Sequence, residues 1–302
     1  MIIETVTLFF SSKKFKRFFR WSSVVVFVLA LPHAIFLYRA ATAFMSGSNV
    51  GRIPFAVFLC LIFGLAVYVH FSNQTWTLRR FFPLITLSIV IWISVTFLEE
   101  NSNKYIHIPQ YMILSLLLFF ALSVDYRGGG ILLLTFILSS LLGVVDEMQQ
   151  GLYPDRYFGW KDMVINSSGA LLGVVLIDTL TTPSVRNWSW LRMIARQKVL
   201  CIILFSGLAG TIFTGLMLWE LKDDKTVVHN YENQILAWNI VYCTTAAMAV
   251  FRLLNKSVFT PQPVKTQTLM NTYLLWFITL FCLTFIIHAV STLTLLTNLD
   301  FR

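Results

Sequence analysis

The amino-acid sequence predicts an all-helical integral membrane protein, a bundle of helices that cross the membrane many times. Of its 302 residues, 57% are hydrophobic and only 12% carry a charge, and the mean hydropathy is +0.73. Soluble domains contain about 45–50% apolar residues. Apolar runs near the length of about 20 residues that a helix needs to cross a bilayer recur along the whole chain. The alternating strands of about ten residues that build a transmembrane barrel are absent from the sequence, so the spans are predicted to be helices.

The apolar runs divide into nine predicted spans. They cover residues 21–44, 53–71, 81–98, 107–124, 131–149, 163–180, 199–219, 236–254 and 272–297. The connections between them are too short to fold as a soluble domain. The longest polar connection, 181–198, is basic and contains Trp, which is typical of an interfacial loop, and it separates six spans from the last three.

The net charge of +9 is spread between the apolar runs and is not gathered on a soluble domain. This distribution argues against nucleic acid as a partner and indicates that the basic residues orient the chain and contact membrane lipid. With the N-terminus in the cytoplasm, most of the 23 Lys and Arg residues fall on the cytoplasmic side. The positive-inside rule therefore predicts a cytoplasmic N-terminus and an outer C-terminus, in what we expect to be a bacterial cytoplasmic membrane.

The N-terminal segment could be read either as a signal peptide or as a first membrane helix. The basic segment 13–20 and the apolar run after it resemble the first parts of a signal peptide, with Ala41-Thr42-Ala43 as a cleavage site. Because the apolar stretch continues to Phe44 and is long enough to span, we predict that it is kept as the first helix.

The four cysteines lie singly in apolar runs, without a Cys-x-x-Cys pair, so no disulfide or metal framework is predicted.

Polar side chains form three stripes at helix ends that the predicted topology places on the outer side. Residues three, four or seven positions apart share one face of a helix. The stripes are Asp146, Glu147 and Gln150; Asp162, Asn166, Gly169 and Gly173; and Lys104, His107 and Tyr111. Polar groups at membrane depth are costly and usually pair or line a cavity. We therefore expect the three stripes to face one another around a pocket that opens to the outside.

The arrangement of these stripes resembles the VanZ-like family, which is named for a membrane protein associated with resistance to the glycopeptide teicoplanin. The residues that carry the resemblance are Asp-Glu-x-x-Gln at 146–150, Pro-x-Arg at 154–156, Asp-x-x-x-Asn-x-x-Gly-x-x-x-Gly at 162–173 and Lys-x-x-His-x-x-x-Tyr at 104–111. The family usually has Asp before the Lys, where this chain has Asn103.

The resemblance covers roughly residues 80–181 and implies a division of the chain into three parts. A VanZ-like core of four helices would occupy 80–181. An N-terminal segment of two helices would precede it at 1–79, and a C-terminal extension of three helices would follow at 182–302.

The chemistry of the polar residues suggests a different role for each group of them in an outward-facing site. Carboxylates and an imidazole can act as general acid and base; the candidates are Glu147, Asp146, Asp162 and His107. Cationic side chains bind phosphate or carboxylate; the predicted substrate-binding residues are Arg156, Lys104, Gln150, Asn166 and Tyr111. Gly169 and Gly173 are predicted to be structural, because Gly-x-x-x-Gly lets a neighbouring backbone come close. His107 with the carboxylates could hold a metal, but their spacing selects no ion, so no metal site is predicted and the cofactor is left open.

Two hypotheses of different classes follow. In the first, the protein is a membrane enzyme or substrate-binding protein of the cell envelope. It would act on a lipid-linked or cell-wall precursor and thereby affect glycopeptide sensitivity. In the second, it is a non-enzymatic scaffold or transporter subunit among other envelope proteins, and the polar cluster is a structural ion-pair network. The histidines outside the stripes, His288 among them, have no partner at a readable spacing and are predicted to be structural.

Overall fold

The computed structural model describes residues 12–33, 78–99, 102–125, 130–151, 158–180, 198–223, 225–259 and 278–293, with isolated positions between 40 and 67. The regular structure in these residues is entirely helical, so the predicted all-helical class is confirmed. The main helices are α1 (Lys13–Ala30), α2 (Leu78–Leu98), α3 (His107–Leu122), α4 (Gly130–Gly151), α5 (Trp160–Leu180), α6 (Lys198–Asp223) and α7 (Lys225–Phe259). The last is α8 (Ile278–Leu293).

Several of these helices are suited to cross a membrane. Five segments of the described chain are long and apolar enough: Lys104–Leu122, Gly130–Gly151, Trp160–Leu180, Lys198–Leu216 and Asn233–Phe251. Large apolar side chains lie exposed on the helices, including Phe97 at 87% and Phe18 at 72%. Surface of this kind is what lipid covers and water does not. These features indicate a membrane protein. The predicted span 53–71 falls largely outside the described residues.

Two helices begin earlier than the hydropathy pattern predicts. The first starts at Lys13, where the sequence placed only a basic segment, because the Ser12 side chain caps it by accepting a hydrogen bond from the Phe15 amide at 3.2 Å. The helix that contains the predicted span 236–254 starts at Lys225. Hydropathy detects the apolar part of a helix, whereas capping and backbone hydrogen bonding also extend it through polar residues.

The chain divides into two compact units, residues 1–143 with 161–185 and residues 144–160 with 186–302. The centre of the first unit is α3, whose Ile108, Met112 and Leu114 side chains have no exposed surface. Its buried apolar residues pack with those of α2 and α5 in one cluster. The division at 1–79, 80–181 and 182–302 expected from the sequence stays a prediction.

Within the first unit, α4 runs antiparallel to α3. The Ser115 hydroxyl donates to Ser139 Oγ at 3.2 Å. Four residues further along α4, a Cβ atom placed on Gly143 would lie 3.2 Å from the ring of Tyr111, four residues back along α3. Glycine at this position lets the Tyr111 ring lie directly against the α4 backbone.

Helix α1 is also antiparallel to α3, and its basic first turns hold the far end of α3. Arg17 forms two hydrogen bonds with the Asp125 carboxylate, Nε–Oδ2 at 2.8 Å and Nη2–Oδ1 at 2.5 Å. Lys13 Nζ lies 3.2 Å from Asp125 Oδ1, and Arg20 donates to the Phe120 carbonyl at 2.7 Å. Burial alone would raise the pKa of the Asp125 carboxyl, but the hydrogen bonds and charges of Arg17 and Lys13 outweigh burial and hold this pKa below its ordinary value.

In the second unit, α6, α7 and α8 pack together. The buried residues at their contact are Tyr242, Ala246 and Ala249 of α7 and Phe281 of α8, with apolar side chains of α6 against them. Small Ala side chains on α7 allow close approach of its neighbours, as small residues do between membrane helices.

Candidate functional site

At the start of α3, one lysine lies between two carboxylates. Lys104 belongs to a 3₁₀ turn, Ser102–Ile106, that leads into α3. Its Nζ lies 2.9 Å from Asp162 Oδ2 and 3.3 Å from Glu99 Oε2. The Asp162 side chain is only 5% exposed, whereas that of Lys104 is 36% exposed. Asp162 also lies in the first turn of α5, where the helix dipole favours a negative charge.

This arrangement changes the electrostatic character expected of Lys104. The sequence predicts it to bind an anionic ligand, but in the structure its charge is opposed by two carboxylates, so this part of the site is net negative. The second oxygen of Asp162, Oδ1, is buried and has no hydrogen-bond partner among the described residues. A buried carboxylate oxygen in that position can accept a hydrogen bond from a donor group.

The Gly169-x-x-x-Gly173 motif brings α5 directly against α3. A Cβ atom on Gly169 would lie 2.6 Å from the Ile108 carbonyl oxygen, and one on Gly173 would lie 2.8 Å from that of Met112. Because the contacts advance along both helices together, α3 and α5 are parallel. Only glycine permits a backbone approach this close.

Three further predicted site residues lie at this end of the first unit. Asn166 and Tyr111 are completely buried, and a Cβ atom on Gly143 would lie 3.0 Å from Asn166 Cβ. His107 is partly exposed, and its ring centroid lies 6.5 Å from that of Tyr111. Tyr111 is therefore packed in the interior, and His107 is the more accessible of the two.

The remaining predicted acids lie on the last two turns of α4, in the second unit. Gln150 Nε2 donates to Asp146 Oδ2 at 3.0 Å and to Glu147 Oε1 at 3.1 Å. These bonds show that the three residues share one face, as their i+3 and i+4 spacing predicts. None of the three is more than 4% exposed. The amide reduces the cost of burying two carboxylates but adds no positive charge to balance them.

Sequence reasoning missed Glu99, the second carboxylate partner of Lys104. Its only sequence signal is a position five residues before Lys104 at the end of an apolar run, and the 3₁₀ turn that brings them together has no motif. Arg156, a predicted ligand-binding residue, lies outside the described residues.

The fold and these contacts define an all-helical membrane protein with buried acidic and amide groups at helix ends. Comparison with protein-family models, with curated proteins and with solved structures found no match.

Proposed function

We propose that this chain is a VanZ-like membrane protein of the cell envelope. It would cross a bacterial cytoplasmic membrane nine times, with the N-terminus inside and the C-terminus outside. The polar helix ends would serve an outward-facing pocket that binds or acts on a lipid-linked or cell-wall precursor, and this activity would affect glycopeptide sensitivity. The resemblance of residues 80–181 to the VanZ-like family motivates the family and the class of ligand.

The observation that carries the proposal is the buried carboxylate of Asp162. One of its oxygens binds Lys104 at 2.9 Å, and the other has no hydrogen-bond partner among the described residues. A buried polar atom without a partner costs about 1–3 kcal/mol. A structural ion pair would be more stable with both oxygens satisfied, whereas a binding site needs an acceptor kept open for its ligand.

The charges around Lys104 indicate which chemical group of the precursor would lie beside Asp162. Lys104 faces the two carboxylates of Asp162 and Glu99, so a phosphate at this point would meet net negative charge. A hydroxyl or ammonium group would donate to Asp162 Oδ1 without that repulsion. Such groups are present on the sugars and peptides of wall precursors. Arg156 is the proposed partner for any phosphate or carboxylate of the same ligand.

The other site residues take the roles expected from their chemistry. His107, which is partly exposed, would exchange a proton with the ligand as general base or acid. The carboxylates Asp146 and Glu147, oriented by Gln150, are the other proposed acid–base groups. Asn166 and Tyr111 would shape the pocket wall.

The experiment compares lipid-linked and soluble wall precursors, and teicoplanin sensitivity, in cells with and without the protein. D162N, E147Q and R156K keep side-chain size and should abolish any change the wild-type protein produces, while the protein still inserts. The matched control is D178N, which makes the same change on the same helix at an exposed position. Full activity in all three site variants would contradict the proposal.

One observation favours a second function, a non-enzymatic scaffold or transporter subunit. The Lys104 contacts to Asp162 and Glu99 and the Gln150 contacts to Asp146 and Glu147 are what a structural network at helix ends would form. Under this alternative, D162N and E147Q should lower the thermal stability of the purified protein. The precursor profile would then be the same with and without the wild-type protein.

A further inference from the structure

The C-terminal helices contain a second polar cluster, which lies outside residues 80–181, the part of the chain that resembles the VanZ-like family. One face each of α6, α7 and α8 contributes buried polar side chains: Thr211, Thr214, Asn239, Tyr242, Thr284, His288 and Ser291. Asn239, Thr284, His288 and Ser291 have no exposed surface at all. Buried polar groups are costly unless they are hydrogen-bonded, so a buried ionisable group without a partner is a candidate functional group.

Hydrogen bonds within the cluster fix the tautomer of neutral His288. Its Nδ1 lies 2.7 Å from the Thr284 carbonyl oxygen. A carbonyl oxygen can only accept, so Nδ1 carries the hydrogen and neutral His288 presents a bare lone pair at Nε2. The Thr284 hydroxyl donates in turn to the Leu280 carbonyl at 3.0 Å, so it accepts from the Tyr242 hydroxyl, 2.5 Å away.

The part of the chain that the structure describes offers no partner to the lone pair of His288. Nε2 is buried and has no hydrogen-bond partner among the described residues. The same holds for the amide nitrogen and the amide oxygen of Asn239, which lies three residues before Tyr242 on the same face of α7. The Tyr242 ring in turn lies against the imidazole, with centroids 4.3 Å apart. A basic lone pair and an amide acceptor therefore lie on adjoining buried faces.

The space around Nε2 limits what it can bind. A Cβ atom on Gly210 of α6 would lie 2.8 Å from His288 Nε2 and 2.5 Å from Trp238 Nε1, so not even a methyl group fits there. A metal ion would need more ligands than one imidazole. The titratable groups in the packed cluster are the phenol of Tyr242 and the thiol of Cys201. The thiol of Cys243, next to Tyr242 on α7, is partly buried. All three groups are uncharged at neutral pH. Described side chains of these helices include one charged residue, the exposed Lys198.

We propose that His288 is a proton-binding site within the C-terminal helices. A proton from water adds to the Nε2 lone pair, Nδ1–H stays bonded to the Thr284 carbonyl, and the imidazolium places one positive charge among three packed helices. A proton occupies almost no volume, so it can bind Nε2 although Gly210 leaves no room for a larger ligand. Proton uptake makes this part of the protein responsive to pH, independently of the site on α3 and α5.

The test uses the fluorescence of Trp238, because its indole nitrogen and His288 Nε2 both approach Gly210. A protonated imidazole quenches a neighbouring indole. The full-length protein in detergent is titrated between about pH 8 and pH 5, the range in which histidine changes charge. The Trp238 contribution is the difference between wild type and W238F. We expect this contribution to fall in a single-proton step, to lose the step in H288Q, and to keep it in the control H33Q, at an exposed histidine of the first unit.

The outcomes separate a proton site from a packing role. A Trp238 contribution that does not change with pH in the wild type overturns the proposal, and so does a step that persists in H288Q. If H288Q does not fold, H288N takes its place. If neither variant folds, the fluorescence–pH curves of wild type and W238F decide alone. A step present in the wild type and absent from W238F supports the proposal. Curves of the same shape in both proteins overturn it.

Discussion

The contact between α3 and α5 allows a sharp test of the fold, the substitution G169A. The added Cβ would lie 2.6 Å from the Ile108 carbonyl oxygen and 3.0 Å from Ile108 Cα. Close C···O contacts in proteins lie at about 3.3–3.6 Å, so the methyl group would intrude by roughly 0.7–1 Å. Both obstructing atoms belong to the backbone, which cannot rotate away as a side chain can, and the two helices must separate.

Overpacking of this kind costs about 1–3 kcal/mol. The greater helix propensity of Ala returns about 1 kcal/mol, so G169A should lose up to about 2 kcal/mol of unfolding free energy. The control is G64A, because a Cβ atom on the helical Gly64 would meet no atom of the described residues within 4 Å. It gains only the propensity and should be neutral or slightly stabilising.

The assay is unfolding of the purified protein by increasing amounts of sodium dodecyl sulfate in mixed micelles, followed by circular dichroism. G169A should unfold at a lower detergent fraction than the wild type, and G64A should not. If G169A and G64A unfold together, the close backbone approach of α3 and α5 is wrong, and the register that places Asp162 beside Lys104 loses its support.

Other predictions concern the charged contacts of the first unit. The pKa of Asp125 is held below its ordinary value, so its contribution to stability is present above about pH 4, the unfolded value, and is lost as pH falls through the folded pKa. The stability difference between wild type and D125N should therefore shrink on acidification below about pH 4, and a difference that is constant with pH would contradict the Arg17 contact. K104M should destabilise by about 1–3 kcal/mol by leaving Asp162 buried and unpaired, and the double-mutant cycle with D162N should give a coupling of about 0.5–3 kcal/mol. A cycle with no coupling would show that the 2.9 Å contact does not stabilise the protein. Q150L should destabilise by about 1–3 kcal/mol, since both carboxylates that it serves are buried, whereas stability equal to the wild type would contradict those hydrogen bonds.

Hydropathy and helical spacing predict much of this fold. The spans predicted at 107–124, 131–149 and 163–180 correspond to α3, α4 and α5 with ends within a few residues, because long apolar runs leave few alternatives in a membrane. The early start of α1 depends on one capping serine, Ser12, which a window average does not register. The nine-span count depends partly on residues outside the described chain.

Contacts among the candidate-site residues were predictable along one helix but not between helices. Spacing along one helix places Asp146 and Gln150 together, because i+4 neighbours always share a face. It says nothing of Lys104 and Glu99, whose contact depends on the 3₁₀ turn between α2 and α3. Spacing also fails for His288, because its neighbours on α6 and α7, Gly210 and Tyr242, are more than forty residues away in sequence.

The parallel register of α3 and α5 connects the fold of the first unit to its chemistry. Lys104 meets Asp162, Ile108 meets Gly169, and Met112 meets Gly173, each pair further along both helices than the one before. The two glycines allow the helices to approach, and this approach carries a carboxylate in the first turn of α5 to the lysine that precedes α3. A larger side chain at either glycine would therefore disturb the ion pair as well as the packing. Packing and polar contacts at this helix end therefore depend on each other. A substitution at Gly169 or Gly173 should weaken the Lys104–Asp162 ion pair, and loss of the ion pair should loosen the packing of α3 and α5.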